Sequence, residues 1–370
     1  MKKTIMMMVA MLVMAGSLSA APTSKEFTRG LTTEVSIDGM FRVVMSDQYR
    51  NNVRIEFDDL LAEHIVTEVK GKQLKIYYTR SANKIFKQSN VAPATVYIDR
   101  NFASYLFKDA VYASSSELVE SATLKIRLNG ACTLDARISA GKLDMAMSGS
   151  AQYIGEVSAR DAKLVLSGAS TARMSGAINK LTVSVAGSSI FDGTKLDNQS
   201  GVTLTASGAS NVTFASKGSA KVNVAGTSSV SGDVICKALT VNQKGSSSVK
   251  FKGSAKTLKL SIAGTSRFEK SDFAADMSAK IAADGTASVY VESRGSADIK
   301  AKGAAVVEVE CGSNIKIAAS DTANVTHNPN AKLVKLTLKD QATVRAREDE
   351  KQTVNVFASP YGPATPHYQR

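Results

Sequence analysis

Apolar and polar residues alternate one by one along much of the chain. In Leu181–Val185, just before Gly187, every second residue is apolar, and Leu258–Ile262 repeats the pattern before Gly264. Successive side chains of a strand point to opposite faces, so this alternation predicts strands with one buried face. A helix would need apolar residues three and four positions apart, which these stretches lack. The pattern therefore favours an all-β fold.

The strand pattern ends in a glycine that recurs every 18 to 21 residues. The aligned glycines are Gly130, Gly149, Gly168, Gly187, Gly208, Gly226, Gly245, Gly264 and Gly285. Glycine suits a bend between two strands because it lacks Cβ and accepts a positive φ. A regular period of this length indicates a repeat fold. We predict a single-stranded right-handed parallel β-helix (a β-solenoid) of about 19–21 residues per coil.

The repeat and its ends divide the chain into four predicted segments. They are a signal peptide at 1–20, a capping region at 21–105, β-helix repeats at 106–345, and a C-terminal strand with a loose tail at 346–370. Asp109 stands in the place of the glycine at the start of the repeats. Gly295, Cys311 and Asp340 are expected to occupy the position of the aligned glycine in the later coils.

The capping region is predicted to contain strands and one short helix. Asp58 or Asp59 is suited to cap the N-terminus of that helix, and the apolar residues from Leu60 to Ile65 would form its buried side. The polar stretch Ser81–Val91 is expected to be a loop.

The N-terminus has the three parts of a Sec signal peptide. Lys2 and Lys3 precede an apolar run, and small residues lead up to Ala20, where we expect cleavage. The protein is therefore expected in the periplasm, on the outer-membrane surface or outside the cell. No cysteine lies near the cleavage site to carry a lipid anchor, and no later segment is apolar enough to span a membrane.

The formal net charge of +13 favours polyanionic partners such as acidic glycans or cell-surface polymers. Nucleic acid is disfavoured by the export signal and by the lack of a basic patch interleaved with aromatic residues. Five lysines share one phase, five residues before an aligned glycine: Lys125, Lys163, Lys221, Lys259 and Lys280.

Because coils stack about 4.8 Å apart, residues of equal phase are expected to form a column. The five lysines would face outward, with Thr182, Thr203 and Thr240 interspersed among them. We interpret this column as a possible polyanion-binding face. The alternative is a solvated surface that discourages lateral aggregation.

Candidate catalytic and metal-binding residues do not cluster in the sequence. The acidic residues of the repeats differ in phase from coil to coil, and His64, His327 and His367 lack ligand spacing. We therefore predict no catalytic, cofactor-binding or metal-binding residues, and a non-enzymatic protein. Two alternatives stay open: a β-helical polysaccharide lyase or hydrolase, and an envelope structural or stress protein without a discrete ligand.

Small inward residues complete the repeat. A serine often follows the glycine at the second position, from Ser170 to Ser266, and is expected to form a buried hydroxyl ladder. Cys132, Cys236 and Cys311 are far apart, so we expect small buried hydrophobic residues, not a disulfide framework.

The repeat units resemble those of a known bacterial family, the head GIN domain proteins, which are named as autotransporter adhesins. The units that carry the resemblance are Ser167–Ser170, Ser207–Ser210, Ala225–Ser228 and Ala263–Ser266, together with the opening Val35–Val43. The resemblance covers residues 31–345. It implies a right-handed β-helix, a Sec signal, an origin in a Bacteroides-type bacterium, and a role as a surface adhesin or scaffold.

Overall fold

The structure is a computed structural model that describes residues 23–347 and 355–357. The predicted signal peptide, residues 1–20, lies outside the described residues. The fold is nearly all-β and forms a β-solenoid of about 13 turns, which confirms the predicted fold class. No helix within the described ranges is long and apolar enough to cross a membrane.

Short strands follow one another along the whole described chain. They are β1 Thr23–Thr28, β2 Glu34–Gly39, β3 Arg42–Met45, β4 Asn52–Phe57, β5 Ile65–Lys70, β6 Gln73–Tyr78, β7 Thr95–Ile98, β8 Ser104–Asp109, β9 Tyr112–Ser114, β10 Val119–Gly130, β11 Thr133–Asp135, β12 Ile138–Gly149, β13 Gln152–Leu166, β14 Thr171–Val185, β15 Ile190–Asp197, β16 Gly201–Ala206, β17 Asn211–Ser216, β18 Ser219–Val224, β19 Ser229–Gln243, β20 Ser248–Ile262, β21 Arg267–Phe268, β22 Phe273–Ala283, β23 Ser288–Ser293, β24 Ser296–Ala301, β25 Val306–Cys311, β26 Asn314–Ala319, β27 Asn324–His327, β28 Lys332–Leu338, β29 Thr343–Ala346 and β30 Asn355–Phe357. The helical elements are α1 Ala82–Gln88 and two 3-10 turns, Asp47–Tyr49 and Asp59–Leu61.

The described chain forms two compact units. The first comprises residues 23–163 and 169–173, and the second comprises residues 164–168, 174–347 and 355–357. In the first unit, β2 pairs in parallel with β8, and β3 pairs in parallel with β9. Residues 34–45 are therefore part of a solenoid coil. The segment that follows them covers this coil, because β6 pairs with β2 and β7 pairs with β3.

In the second unit each strand pairs in parallel with the strand one coil later. One sheet contains β14, β16, β18 and the second halves of β19, β20 and β22, and continues through β24, β26 and β28. The other sheet contains β15 and β17, the first halves of β19 and β20, and β21, β23, β25, β27 and β29. An antiparallel strand, β30, pairs with β29.

The aligned glycines stack as one corner of the solenoid within each unit. All nine have a positive φ. At Gly226, for example, φ is +72°, and a Cβ would lie 2.5 Å from the carbonyl oxygen of Gly208 in the coil below. The backbone N–H of Thr227 donates to that oxygen at 2.8 Å. Glycine is favoured there because the stacked backbones leave little room for a side chain.

Aspartate replaces glycine at three corners, where it also has a positive φ: Asp109, Asp321 and Asp340. The predictions for Asp109 and Asp340 are confirmed. The assignment of Gly295 and Cys311 to this phase is wrong, because Gly303 and Asp321 occupy the corner. Gly295 stacks against the backbone of Met277 at a different bend, and the carboxylate of Asp321 accepts a hydrogen bond from the N–H of Gly303 at 2.9 Å.

Helical structure in the capping segment differs in place from the prediction. Asp58 caps a helix, since its carboxylate accepts a hydrogen bond from the N–H of Leu60, but that helix is a single 3-10 turn. The only α-helix of the described residues is α1, within the stretch expected to be a loop. Its Phe86 ring packs edge-on against Tyr78, with ring centroids 5.2 Å apart.

Inward side chains of both sheets form the core, as the alternation predicted. The serines from Ser170 to Ser266 are buried and hydrogen bonded along the stack: Ser210 donates to Ser228 at 3.1 Å, and Ser247 donates to Ser266 at 3.2 Å. The three cysteines are buried and free. Burial raises the pKa of the Cys132 and Cys236 thiols, so the reactive thiolate is disfavoured.

Candidate binding face

Three of the five lysines predicted to form a column lie on one outward face of the second unit. Lys221 is in register with Thr240, Thr240 with Lys259, and Lys259 with Lys280. The three lysines are exposed. Since adjacent strands lie about 4.8 Å apart, the structure brings three of the five predicted residues together.

The same column extends in both directions along the second unit. Thr182 and Thr203 precede Lys221, and Asp298 and Lys316 follow Lys280. Seven successive strand-to-strand pairings, which we call register steps, therefore separate Thr182 from Lys316. We call the outward residues from Thr182 to Lys316 in this register the lysine column.

The other two predicted lysines lie in the first unit. Lys125 of β10 is exposed and in register with Asp144 of β12, and Lys163 of β13 is also exposed. Asp144 is paired with Arg127, whose guanidinium lies 2.9 Å from the carboxylate. None of the five predicted lysines takes part in an ion pair with a residue in the described ranges. Their ammonium groups are therefore available to an external anion.

A shallow groove of about 300 Å³ runs beside the lysine column. Lys180 is in register with Gly201. Because Gly201 has no side chain, nothing covers the aliphatic part of Lys180 from that strand. Ser219, in register with Gly201 on the next strand, is also small. Lys221 and Thr240 line the same groove. It therefore offers two ammonium groups and several hydroxyls around a floor of backbone.

Amide and hydroxyl groups border the lysine column on the next outward positions. Asn223 and Asn242 are in register, and the Asn242 Nδ2 donates to the Asn223 Oδ1 at 2.9 Å. This bond leaves further donors and acceptors of both amides directed at solvent. The face consequently combines cationic and neutral hydrogen-bonding groups, a composition suited to charged and hydroxylated polymers.

Ionisable side chains are most concentrated elsewhere in the second unit, around Glu308 and Glu310. Arg347 forms ion pairs with both carboxylates. The Tyr290 hydroxyl donates to Glu310 at 2.8 Å, and burial together with this bond raises the pKa of Tyr290 to about 12. Both glutamates thus have a cationic partner, and Tyr290 is protonated at neutral pH. This arrangement is a satisfied network and offers no free acid–base pair.

Metal ligation finds no support in the described ranges, which contain no group of three or more His, Cys, Asp or Glu side chains placed to hold an ion. His64 lies after the 3-10 turn, with its Nδ1 3.0 Å from the Ser81 hydroxyl. His327 is largely buried, and its Nδ1 lies 2.8 Å from the carbonyl oxygen of Asn328. His367 lies outside the described residues.

The groove and the asparagine pair were missed by reasoning from the sequence. The phase of Lys221 was visible because it lies five residues before the aligned glycine Gly226, the same spacing that Lys259 has to Gly264. Lys180, however, lies at another phase, and its role depends on the small residue that the register places beside it. Gly201 was the signal available in the sequence for this groove. It is a glycine at a strand position where an outward-facing side chain is expected.

Residues 33–233 and 217–313 match the family described as "Putative auto-transporter adhesin, head GIN domain". These matches cover more than half of the chain. They agree with the resemblance found in the repeat units. No protein with a curated description matches the chain significantly.

Solved structures from two Parabacteroides species share the fold. A "putative lipid binding protein" from Parabacteroides distasonis has 17% sequence identity and a TM-score of 0.55, over 63% of this chain and 98% of that one. A "putative adhesin" from Parabacteroides merdae has 16% identity and a TM-score of 0.50, over 63% of this chain and 97% of that one. At such identities the likeness shows the fold alone.

Proposed function

Because the chain belongs to the head GIN domain family, we propose that it is a non-enzymatic exported protein that acts as an adhesin or scaffold at the cell surface or in the periplasm. Its ligands are acidic polymers, such as glycans that carry carboxylates. The lysine column and the groove beside it form the binding face.

The in-register series Lys221, Thr240, Lys259 and Lys280 supports this proposal most directly. A linear polymer lying along the coil axis would meet a cation or hydroxyl at each of these four strands. The individual contacts are weak, because exposed ion pairs are worth only about 0.2–1 kcal/mol each. Binding by such a face therefore depends on repetition along the polymer.

The test compares two triple variants of the mature chain that lose the same charge. Lys221→Gln/Lys259→Gln/Lys280→Gln removes three cations of the column. Lys237→Gln/Lys250→Gln/Lys252→Gln removes three exposed lysines that are not members of the column. Affinity for polygalacturonate and for alginate is measured by biolayer interferometry at low and at physiological salt, with neutral dextran as the reference polymer.

We expect the column variant to bind the acidic polymers about tenfold more weakly, from three lost contacts, and the control variant to keep most of the affinity. Binding by the unmodified chain should also weaken with salt. Equal losses in the two variants would contradict the assignment of the face. Cleavage of either polymer would contradict the non-enzymatic role.

A further inference from the structure

Within the part of the chain that the structure describes, the strand β28 has one unpaired edge. Its other edge pairs in parallel with β26. Among residues 23–347 and 355–357, none pairs with the outer edge of β28. The neighbouring sheet differs, since β30 covers β29 there by antiparallel pairing. An open strand edge presents unpaired N–H and C=O groups that can accept a further strand.

The apolar layer next to this edge is also uncovered. Leu333 is 39% exposed, whereas Ile315, its partner in β26, is fully buried. Leu336 and Leu338 lie in the same layer, opposite Ile317 and Ala319, and are only half-buried. An added strand would bury the exposed part of these leucines, in the same way that β28 buries the inward residues of β26.

Lysines occupy the outward positions of the same strand. Lys332 precedes the inward Leu333 and Lys335 precedes the inward Leu336, with a one-residue register shift at the exposed Val334 between them. Lys339 follows the strand, and all three lysines are exposed. A strand that pairs with β28 would place its side chains opposite these lysines on the outer face and next to the leucines on the inner face. Opposite charges across strands are favourable and like charges are unfavourable. The matching strand therefore alternates acidic and apolar residues.

Two other occupants fit this edge poorly. A second copy that offered its own β28 would bring Lys335 against lysines. The chain's own residues 358–370 contain no acidic residue and three prolines, which lack the N–H groups that a ladder needs. The acidic residues Glu348–Glu350 belong to the link between β29 and β30, which pair with each other.

We infer that the open edge of β28 is a docking site for a partner protein, which binds through an extended segment of alternating acidic and apolar residues by strand addition. Main-chain hydrogen bonds would supply affinity, and the lysines with the leucine layer would select the sequence. This site is separate from the lysine column and does not depend on its function.

The probe is a fluorescein-labelled peptide of seven alternating glutamates and valines, which matches the seven residues of β28. A second peptide carries lysine in place of each glutamate. Fluorescence anisotropy measures binding to the mature full chain, to Lys335→Glu and to Lys250→Glu, after circular dichroism has shown all three to be folded. Lys250→Glu makes the same charge change at an exposed lysine that lies outside both β28 and the lysine column.

We expect the acidic peptide to bind the unmodified chain, and Lys335→Glu to weaken that binding about tenfold. Lys250→Glu should change it less than twofold, and the lysine peptide should not bind. Equal weakening by both variants would overturn the inference, since the peptide would then bind by charge alone. Failure of the monomeric full chain to bind would show that the edge is already covered. A dimer that Lys335→Glu disrupts would assign the edge to a second copy.

Discussion

Gly226→Ala is expected to lower the free energy of unfolding by about 3–5 kcal/mol. The residue has φ +72°, and its new Cβ would lie 2.5 Å from the carbonyl oxygen of Gly208. Alanine would therefore add strain in the left-handed region and separate two coils where the Thr227 N–H bonds that oxygen. Urea unfolding followed by circular dichroism measures the loss.

Gly71→Ala is the matched control. Gly71 also has a positive φ, +63°, but a Cβ there would meet nothing within 4 Å. This variant should lose only the conformational part, about 1–2 kcal/mol. If both variants lost the same amount, close stacking of the corners would not contribute to stability.

Phe251→Ala is expected to cost about 3–5 kcal/mol, the usual range for a buried phenylalanine. Phe251 is fully buried, and its ring centroid lies 5.8 Å from that of Phe214 and 6.0 Å from that of Phe268. The truncation would leave a cavity in a cluster that spans several coils. Thermal and urea unfolding measure the change.

Ile235→Ala tests whether the Phe251 effect comes from burial. Ile235 lies on the same pair of sheets but is 67% exposed. Its truncation should change the unfolding free energy by less than about 0.5 kcal/mol, as for other surface substitutions. A similar loss of unfolding free energy in both variants would contradict the assignment of Phe251 to the buried face and of Ile235 to the exposed face.

The corner stack could be predicted from the sequence because one constraint repeats at each coil. Any residue at Gly187 or Gly226 must fit against the backbone of the coil below, so glycine recurs at the period of the solenoid. Asp321 was missed because aspartate also tolerates a positive φ and is common elsewhere. Its carboxylate accepts the N–H of Gly303, a contact that the spacing alone does not reveal.

The capping segment was harder to predict because its contacts are distant in sequence. β2 and β8 pair although residues 40–103 separate them, so no period connects them. The helix α1 had a signal, since Ala82, Ile85 and Phe86 have helical spacing. Only two turns long, it depends on the packing of Phe86 against Tyr78.

The candidate face was predictable only in part. Lys221, Lys259 and Lys280 could be placed in one column because each lies five residues before an aligned glycine and the strands of successive coils pair in the same register. The groove beside them depends on which small residue is paired with Lys180, and this pairing requires the strand register. The open edge of β28 likewise depends on where pairing stops.

Distances along the lysine column test the stacking of coils most directly. Spin labels are attached to cysteines introduced at Thr182 and Lys259, four register steps apart, or at Thr182 and Lys316, seven steps apart, after the native cysteines are replaced by alanine. Pulsed electron resonance should give backbone separations of about 19 Å and about 34 Å, in proportion to the number of coils. Equal distances for the two pairs, or a shorter one for the seven-step pair, would contradict a solenoid with coils in register.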